Sequence, residues 1–132
     1  VITYEQVGPL VPKQVVSIQF QQAVLDGNTV KGDIPVLDVQ CGNVWTNIPD
    51  TLFNRLNPHI GDMVHVSIYH KHQLVYKGEM PYCQTFGAVA EGKPLAYINS
   101  LLQLSFALNM GDFAKKYHVS SGNDWSVEAS LK

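Results

Sequence analysis

Met63-Val64-His65-Val66-Ser67-Ile68-Tyr69, then His70-Lys71-His72, then Leu74-Val75-Tyr76, is the stretch that decides the fold. Val64, Val66 and Ile68 recur at a period of two, the spacing of a strand with one buried face. The polar triplet reverses the chain, and Leu74 to Tyr76 pairs back, so the segment reads as a β-hairpin. Shorter pieces of the same kind lie on both sides. Residues 15–20 read as a strand with Val16, Ile18 and Phe20 on one face. Asp26-Gly27-Asn28 is a turn signal. Residues 29–31 and 34–39 are extended, with Pro35 marking an edge or a strand start. Residues 95–99 and 125–131 add two more strands. Between them Leu102, Leu104, Phe106 and Leu108 alternate with Gln103, Ser105 and Ala107.

Two short helices interrupt this pattern. Pro49 and Asp50 suit a helical first turn, because Pro lacks an N–H and Asp complements the dipole. Leu52, Phe53 and Leu56 supply the apolar stripe, and Asn57-Pro58 ends it. Residues 112–117 form the second. Short strands with turn signals about every 8–12 residues predict an all-β domain with one or two short helices, a small partly open β-barrel. Its extent is residues 15–132, after a lead-in over residues 1–14 that Gly8-Pro9 and Val11-Pro12 keep irregular.

The 132 residues suffice for one core, and an apolar content of 45% predicts a globular chain. A net charge of −2 gives no electrostatic reason to expect nucleic acid as a partner. No apolar run approaches the roughly 18 residues of a membrane span, and no signal peptide is visible. Cys41 and Cys83 are too few for a disulfide framework; a single bridge between them is the alternative to the free thiols and cytoplasmic setting expected. The chain starts at Val1 without an initiator Met, which suggests a piece of a longer protein.

Chemistry concentrates around Gly42-Asn43-Val44-Trp45-Thr46-Asn47-Ile48-Pro49. Amides carry both donors and acceptors, which suits a purine edge. Asp38 and Asn43 flank the Gly42 turn and could face one pocket, where a carboxylate would hold an ammonium; an Asx-turn pair is the plainer alternative. Phe86, beside Gly87, could stack on a planar ligand or belong to the core. Asn99-Ser100 is a turn or a ligand contact. Asn109-Met110-Gly111 could present free backbone groups to a base edge or serve as ordinary capping. His65, His70 and His72 have no Cys or carboxylate at ligand spacing, so no metal site is expected. No nucleophile elbow, P-loop or dinucleotide fingerprint occurs.

Four motifs in order carry a resemblance. They are Asp38-x-x-Cys41-Gly42-Asn43-Val44-Trp45-Thr46-Asn47-Ile48, Cys83-Gln84-Thr85-Phe86-Gly87, Pro94-Leu95-Ala96-Tyr97-Ile98-Asn99-Ser100 and Ala107-Leu108-Asn109. Over residues 33–117 the chain resembles the C-terminal domain of the S-adenosyl-L-methionine hydroxide adenosyltransferases, shared with the fluorinating and chlorinating enzymes. The resemblance implies a larger N-terminal α/β domain that this chain lacks. It implies a homotrimer whose active site lies between that domain of one subunit and this domain of its neighbour. Water or halide would attack the ribose C5′ of S-adenosylmethionine, and methionine would leave.

Carried over, Asp38 would bind the methionine ammonium and Ser100 its carboxylate. Asn43, with the backbone near Asn109 and Met110, would meet the adenine edge, and Phe86 would pack on the adenine. No catalytic residue, metal or cofactor would belong to this domain, with S-adenosylmethionine as substrate. The domain alone would be inactive. Three positions depart from the family pattern. Cys41 replaces a Phe, while Leu101 and Leu108 stand where halogenating members have Arg, which favours hydroxide transfer.

Overall fold

The computed structural model describes residues 22–38 and 41–131, apart from the side chain of Phe86. The expected strand at residues 15–20 and the lead-in before it lie outside that range. Nine strands are present among the described residues: β1 (Val24–Asp26), β2 (Thr29–Ile34), β3 (Val36–Asp38), β4 (Asn43–Pro49), β5 (Met63–His70), β6 (Gln73–Pro81), β7 (Pro94–Ile98), β8 (Gln103–Leu108) and β9 (Gly122–Leu131). They form a five-stranded sheet, β1-β2-β9-β5-β6, and a four-stranded sheet, β3-β4-β8-β7. Every named strand pairing is antiparallel. The fold is all-β with short helices, as expected, and its two sheets stop short of a closed barrel.

Local chemistry explains the corners. The β5–β6 hairpin turns at Lys71 and His72, both with positive φ (51° and 67°), the twist that fits a two-residue hairpin. Pro35, which cannot donate to a ladder, separates β2 from β3, where the chain passes from one sheet to the other. Pro49 caps helix α1 (Asp50–Phe53), which continues into a 3-10 turn over Asn54–Leu56. Asn57 closes that turn in the left-handed conformation.

The core lies between the sheets. Val30, Ile34, Val44, Ile48, Val64, Ile68, Leu104, Phe106 and Val127 are all fully buried there. Helix α2 (Phe113–Tyr117) is anchored to it by aromatic contacts. Phe113 lies 5.1 Å from Tyr76 edge to face, and Tyr117 lies 4.6 Å from Tyr76 between ring centroids. Burial, with the nearby Tyr117 adding, pushes the Tyr76 hydroxyl up to about 12.

Two readings of β8 need correction. The alternation puts Leu102 inward with Leu104, but it is exposed in the turn before β8 with φ 62°, and its carbonyl accepts from the Asp50 N–H at 2.8 Å. The same alternation sets Ser105 and Ala107 on the face opposite Leu104 and Phe106, yet both are fully buried. Ala107 joins Cys83 and Leu95 in a second apolar cluster on the outer side of this sheet, with Val89 and Tyr97 packed against it. A central strand covered on both sides does not show period-two burial.

Candidate functional site

The site is built on the outer side of the four-stranded sheet. Asp38 and Asn43 are direct register partners across the β3–β4 hairpin, so they share a face. Trp45, Ser105 and Tyr97 form the next row across β4, β8 and β7. Side chains tie the two rows together. Asn43 Nδ2 donates to the Tyr97 hydroxyl at 3.1 Å, and Trp45 Nε1 donates to the same oxygen at 3.3 Å. Burial raises the Tyr97 pKa and the Asp38 charge adds to it, against hydrogen bonds with Trp45, Asn43 and Ser105. Tyr97 therefore carries its proton at neutral pH.

The hairpin is held from the far side. The Asp38 carbonyl accepts from the Cys41 and Gly42 N–H groups, at 3.2 and 2.6 Å. Gly42 has φ +71°, a conformation that favours glycine, and its carbonyl accepts from the Ala114 N–H at 2.9 Å. Asp112 caps α2 by accepting from the Lys115 N–H at 2.8 Å. Between hairpin and helix lies a hollow of about 520 Å³ lined by Cys41, Asn43, Leu108, Asn109, Met110, Gly111 and Asp112.

Asn43 gives this hollow its chemical meaning. It is 3% exposed, and its Oδ1 is a buried acceptor with no hydrogen-bond partner among the described residues. Leaving such a group unpaired costs about 1–3 kcal/mol, so buried orphans mark places where a ligand, ion or water completes the set.

The six residues singled out from sequence divide as follows. The hollow brings Asn43, Asn109 and Met110 together, and Asp38 stands across the hairpin from Asn43. Asn109 cannot offer free backbone to a ligand, contrary to the sequence reading. Its N–H donates to Lys93 O at 3.0 Å, its carbonyl accepts from Gly92 at 2.7 Å, and its side chain donates to Val89 O at 2.9 Å. Met110, 78% exposed with φ 59°, makes no backbone hydrogen bond among the described residues. Phe86 opens a 3-10 turn, Phe86–Ala88, and its side chain lies outside the described residues.

Ser100 is exposed at the opposite end of the sheet, in the β7–β8 turn. Five residues along the strands separate its level from that of Asn43, roughly 16 Å at 3.3 Å per residue. Its neighbour Asn99 is a turn residue. Asn99 Oδ1 accepts from the Leu101 and Gln103 N–H groups, and its Nδ2 donates to Ser105 Oγ at 2.8 Å. Sequence reasoning misses Tyr97 as a polar anchor. Its place in the motif Tyr97-Ile98-Asn99, two residues from a buried Asn, is the available signal.

The family model for the SAM hydroxide adenosyltransferase C-terminal domain matches residues 32–126. The chain belongs to this family. The matched range holds all six candidate residues and the whole four-stranded sheet. A crystal structure of an uncharacterized conserved protein from Thermotoga maritima is similar at TM-score 0.74 and 27% identity, covering 92% of this chain and 42% of that one. A conserved hypothetical protein from Thermus thermophilus is a weaker likeness, with TM-score 0.49 and 24% identity over 77% of this chain and 34% of that one. This SAM hydroxide adenosyltransferase C-terminal domain thus spans less than half the length of either.

The histidines have carboxylate neighbours that linear spacing hides. His65 Nδ1 lies 3.3 Å from Glu79, and His70 Nε2 lies 3.1 Å from Asp124. Both pairs are cross-strand neighbours, and among the described residues no three such groups converge on one point. Among the described residues no helix is long and apolar enough to cross a membrane.

Proposed function

We propose that this chain is the substrate-binding and assembly domain of an enzyme that cleaves S-adenosylmethionine to adenosine and methionine, with water or hydroxide attacking ribose C5′. The observation that carries this reading is the unpaired, buried Asn43 Oδ1 beside the hollow of a domain from this family. A purine edge supplies the missing donor, and the free backbone of Met110 adds a second contact. The family resemblance assigns the face of the ring to Phe86.

The methionine end runs from the hollow toward mid-sheet. An amino acid's ammonium and carboxylate sit on one carbon. The family resemblance gives the first to Asp38 and the second to Ser100. A sulfonium leaves as a neutral thioether, so the protein's main tasks are in-line orientation of C5′ and exclusion of water from competing positions. This chain's residues bind and orient. The groups that prepare the nucleophile belong to an N-terminal domain of a neighbouring subunit, in a homotrimer. Leu101 and Leu108, apolar where the halogenating relatives carry Arg, favour water over halide.

The test is incubation of the intact protein with S-adenosylmethionine in chloride-free and chloride-rich buffer, with products separated by chromatography. Adenosine in both buffers supports hydrolysis. A 5′-chlorinated nucleoside moves the protein to the halide-using branch. Binding without product makes it a nucleoside-sensing module, and absence of both overturns the reading.

A further inference from the structure

We infer that Tyr97 is a positioning residue that fixes which end of the Asn43 amide meets the ligand, so that the site selects purine nucleosides bearing an amino group at position 6 over those bearing an oxo group. The inference deepens the binding role proposed above and rests on it.

An asparagine amide has a donor end and an acceptor end, and rotation by half a turn exchanges them. Asn43 uses its donor end on the Tyr97 oxygen at 3.1 Å. What decides that orientation is the occupancy of the Tyr97 oxygen. The indole N–H of Trp45 can only donate, and it takes up one side of that oxygen at 3.3 Å. The hydroxyl proton turns to Ser105 Oγ, its hydrogen-bond partner across the β7–β8 ladder, whose own proton is used on Gln103 O at 3.3 Å. A second lone pair is then left for Asn43, and only its Nδ2 end can use it. The opposite end, Oδ1, is the unpaired one.

A ligand that completes this arrangement must bring a donor. The exocyclic amine of adenine is a donor at position 6. Hypoxanthine has an oxygen there, which would oppose Oδ1 acceptor to acceptor. A nucleoside with only hydrogen at position 6 neither satisfies Oδ1 nor repels it. The order of affinity is therefore adenosine, then purine riboside, then inosine, with adenosine ahead of inosine by roughly 10- to 100-fold.

Tyr97→Phe keeps the ring and removes the oxygen. Asn43 is then free to turn its Nδ2 toward an oxo group. Calorimetric titration of the intact protein with adenosine, purine riboside and inosine reads both effects. The expected result is the stated order in the unchanged protein and collapse of the adenosine-to-inosine ratio to within about threefold of unity in Tyr97→Phe. A role in packing alone would weaken all three nucleosides alike and keep the ratio, which overturns the inference while sparing the binding site. Because the ratio is internal to each sample, partial unfolding leaves it readable. If Tyr97→Phe does not fold, the order of the three nucleosides on the unchanged protein decides, and inosine equal to adenosine overturns the inference. Failure of all three to bind the unchanged protein overturns the binding role itself.

Discussion

Gly42 and the Asp112 carboxylate lie so close that a Cβ on Gly42 would fall inside the carboxylate group. The pair joins the β3–β4 hairpin to the start of α2, the two walls of the hollow. Gly42→Ala meets both this collision and a positive φ of 71°. It should cost about 1–3 kcal/mol of stability, read by urea denaturation, and weaken nucleoside binding further than that loss explains. Removing the collision as well, with Gly42→Ala and Asp112→Ala together, should restore part of the binding.

Thr46 repairs a fault in the sheet. The β4–β8 register shifts between Gln103 and Ser105, and there Thr46 Oγ1 donates to Leu104 O at 2.7 Å while accepting from the Ile48 N–H at 3.1 Å. Thr46→Val leaves both buried backbone groups short of a partner and should destabilise by about 1–2 kcal/mol. Thr46→Ser keeps the hydroxyl and should lose less. Equal losses in thermal unfolding would mean that the methyl group, not the bond, matters.

The sequence shows local chemistry well and long-range contacts poorly. Asp26-Gly27-Asn28, Pro35, Pro49 and the turn at Lys71-His72 each act through their own backbone angles, so each is readable in place. Leu102 is misread because a positive φ turns it out of an otherwise unbroken apolar alternation. The burial of Ala107 depends on Cys83 and Val89, which reach the outer face from a distance in sequence, and Ser105 lies in register between Trp45 and Tyr97. In the site, the pairing of Asp38 with Asn43 follows from a tight turn, whereas the bond from Asn43 to Tyr97 spans 54 residues. The loop that consumes the Asn109 backbone is equally out of view, since its partners Gly92 and Lys93 belong to another turn.

The Tyr76 hydroxyl makes stability depend on alkaline pH. Its folded pKa of about 12 lies above the ordinary tyrosine value of 10.0, with burial as the first cause. Below about pH 10 both states keep the proton and stability is flat. Between about 10 and 12 the unfolded chain releases it first, so stability falls as pH rises. Tyr76→Phe should flatten part of that decline in urea titrations at about pH 9 and pH 11. An unchanged slope would assign the decline to other tyrosines, Tyr82 and Tyr97 being raised as well.

Asp38 and Asn43 separate the two ends of the proposed ligand. Asp38→Asn removes a charge but keeps the shape, and Asn43→Ala removes the amide. If Asp38 holds the methionine ammonium, Asp38→Asn should weaken S-adenosylmethionine by about tenfold or more and leave adenosine within a few-fold, since adenosine has no ammonium group. Asn43→Ala should weaken both equally, because both carry the same purine. Ser100→Ala should behave like Asp38→Asn, at about three- to tenfold, if its hydroxyl reaches the carboxylate across the sheet. Titration of each variant with the two ligands separates these cases. Equal loss of both ligands in Asp38→Asn would put its charge at the nucleoside end beside Asn43. No effect of Ser100→Ala would leave the carboxylate to a group outside this sheet.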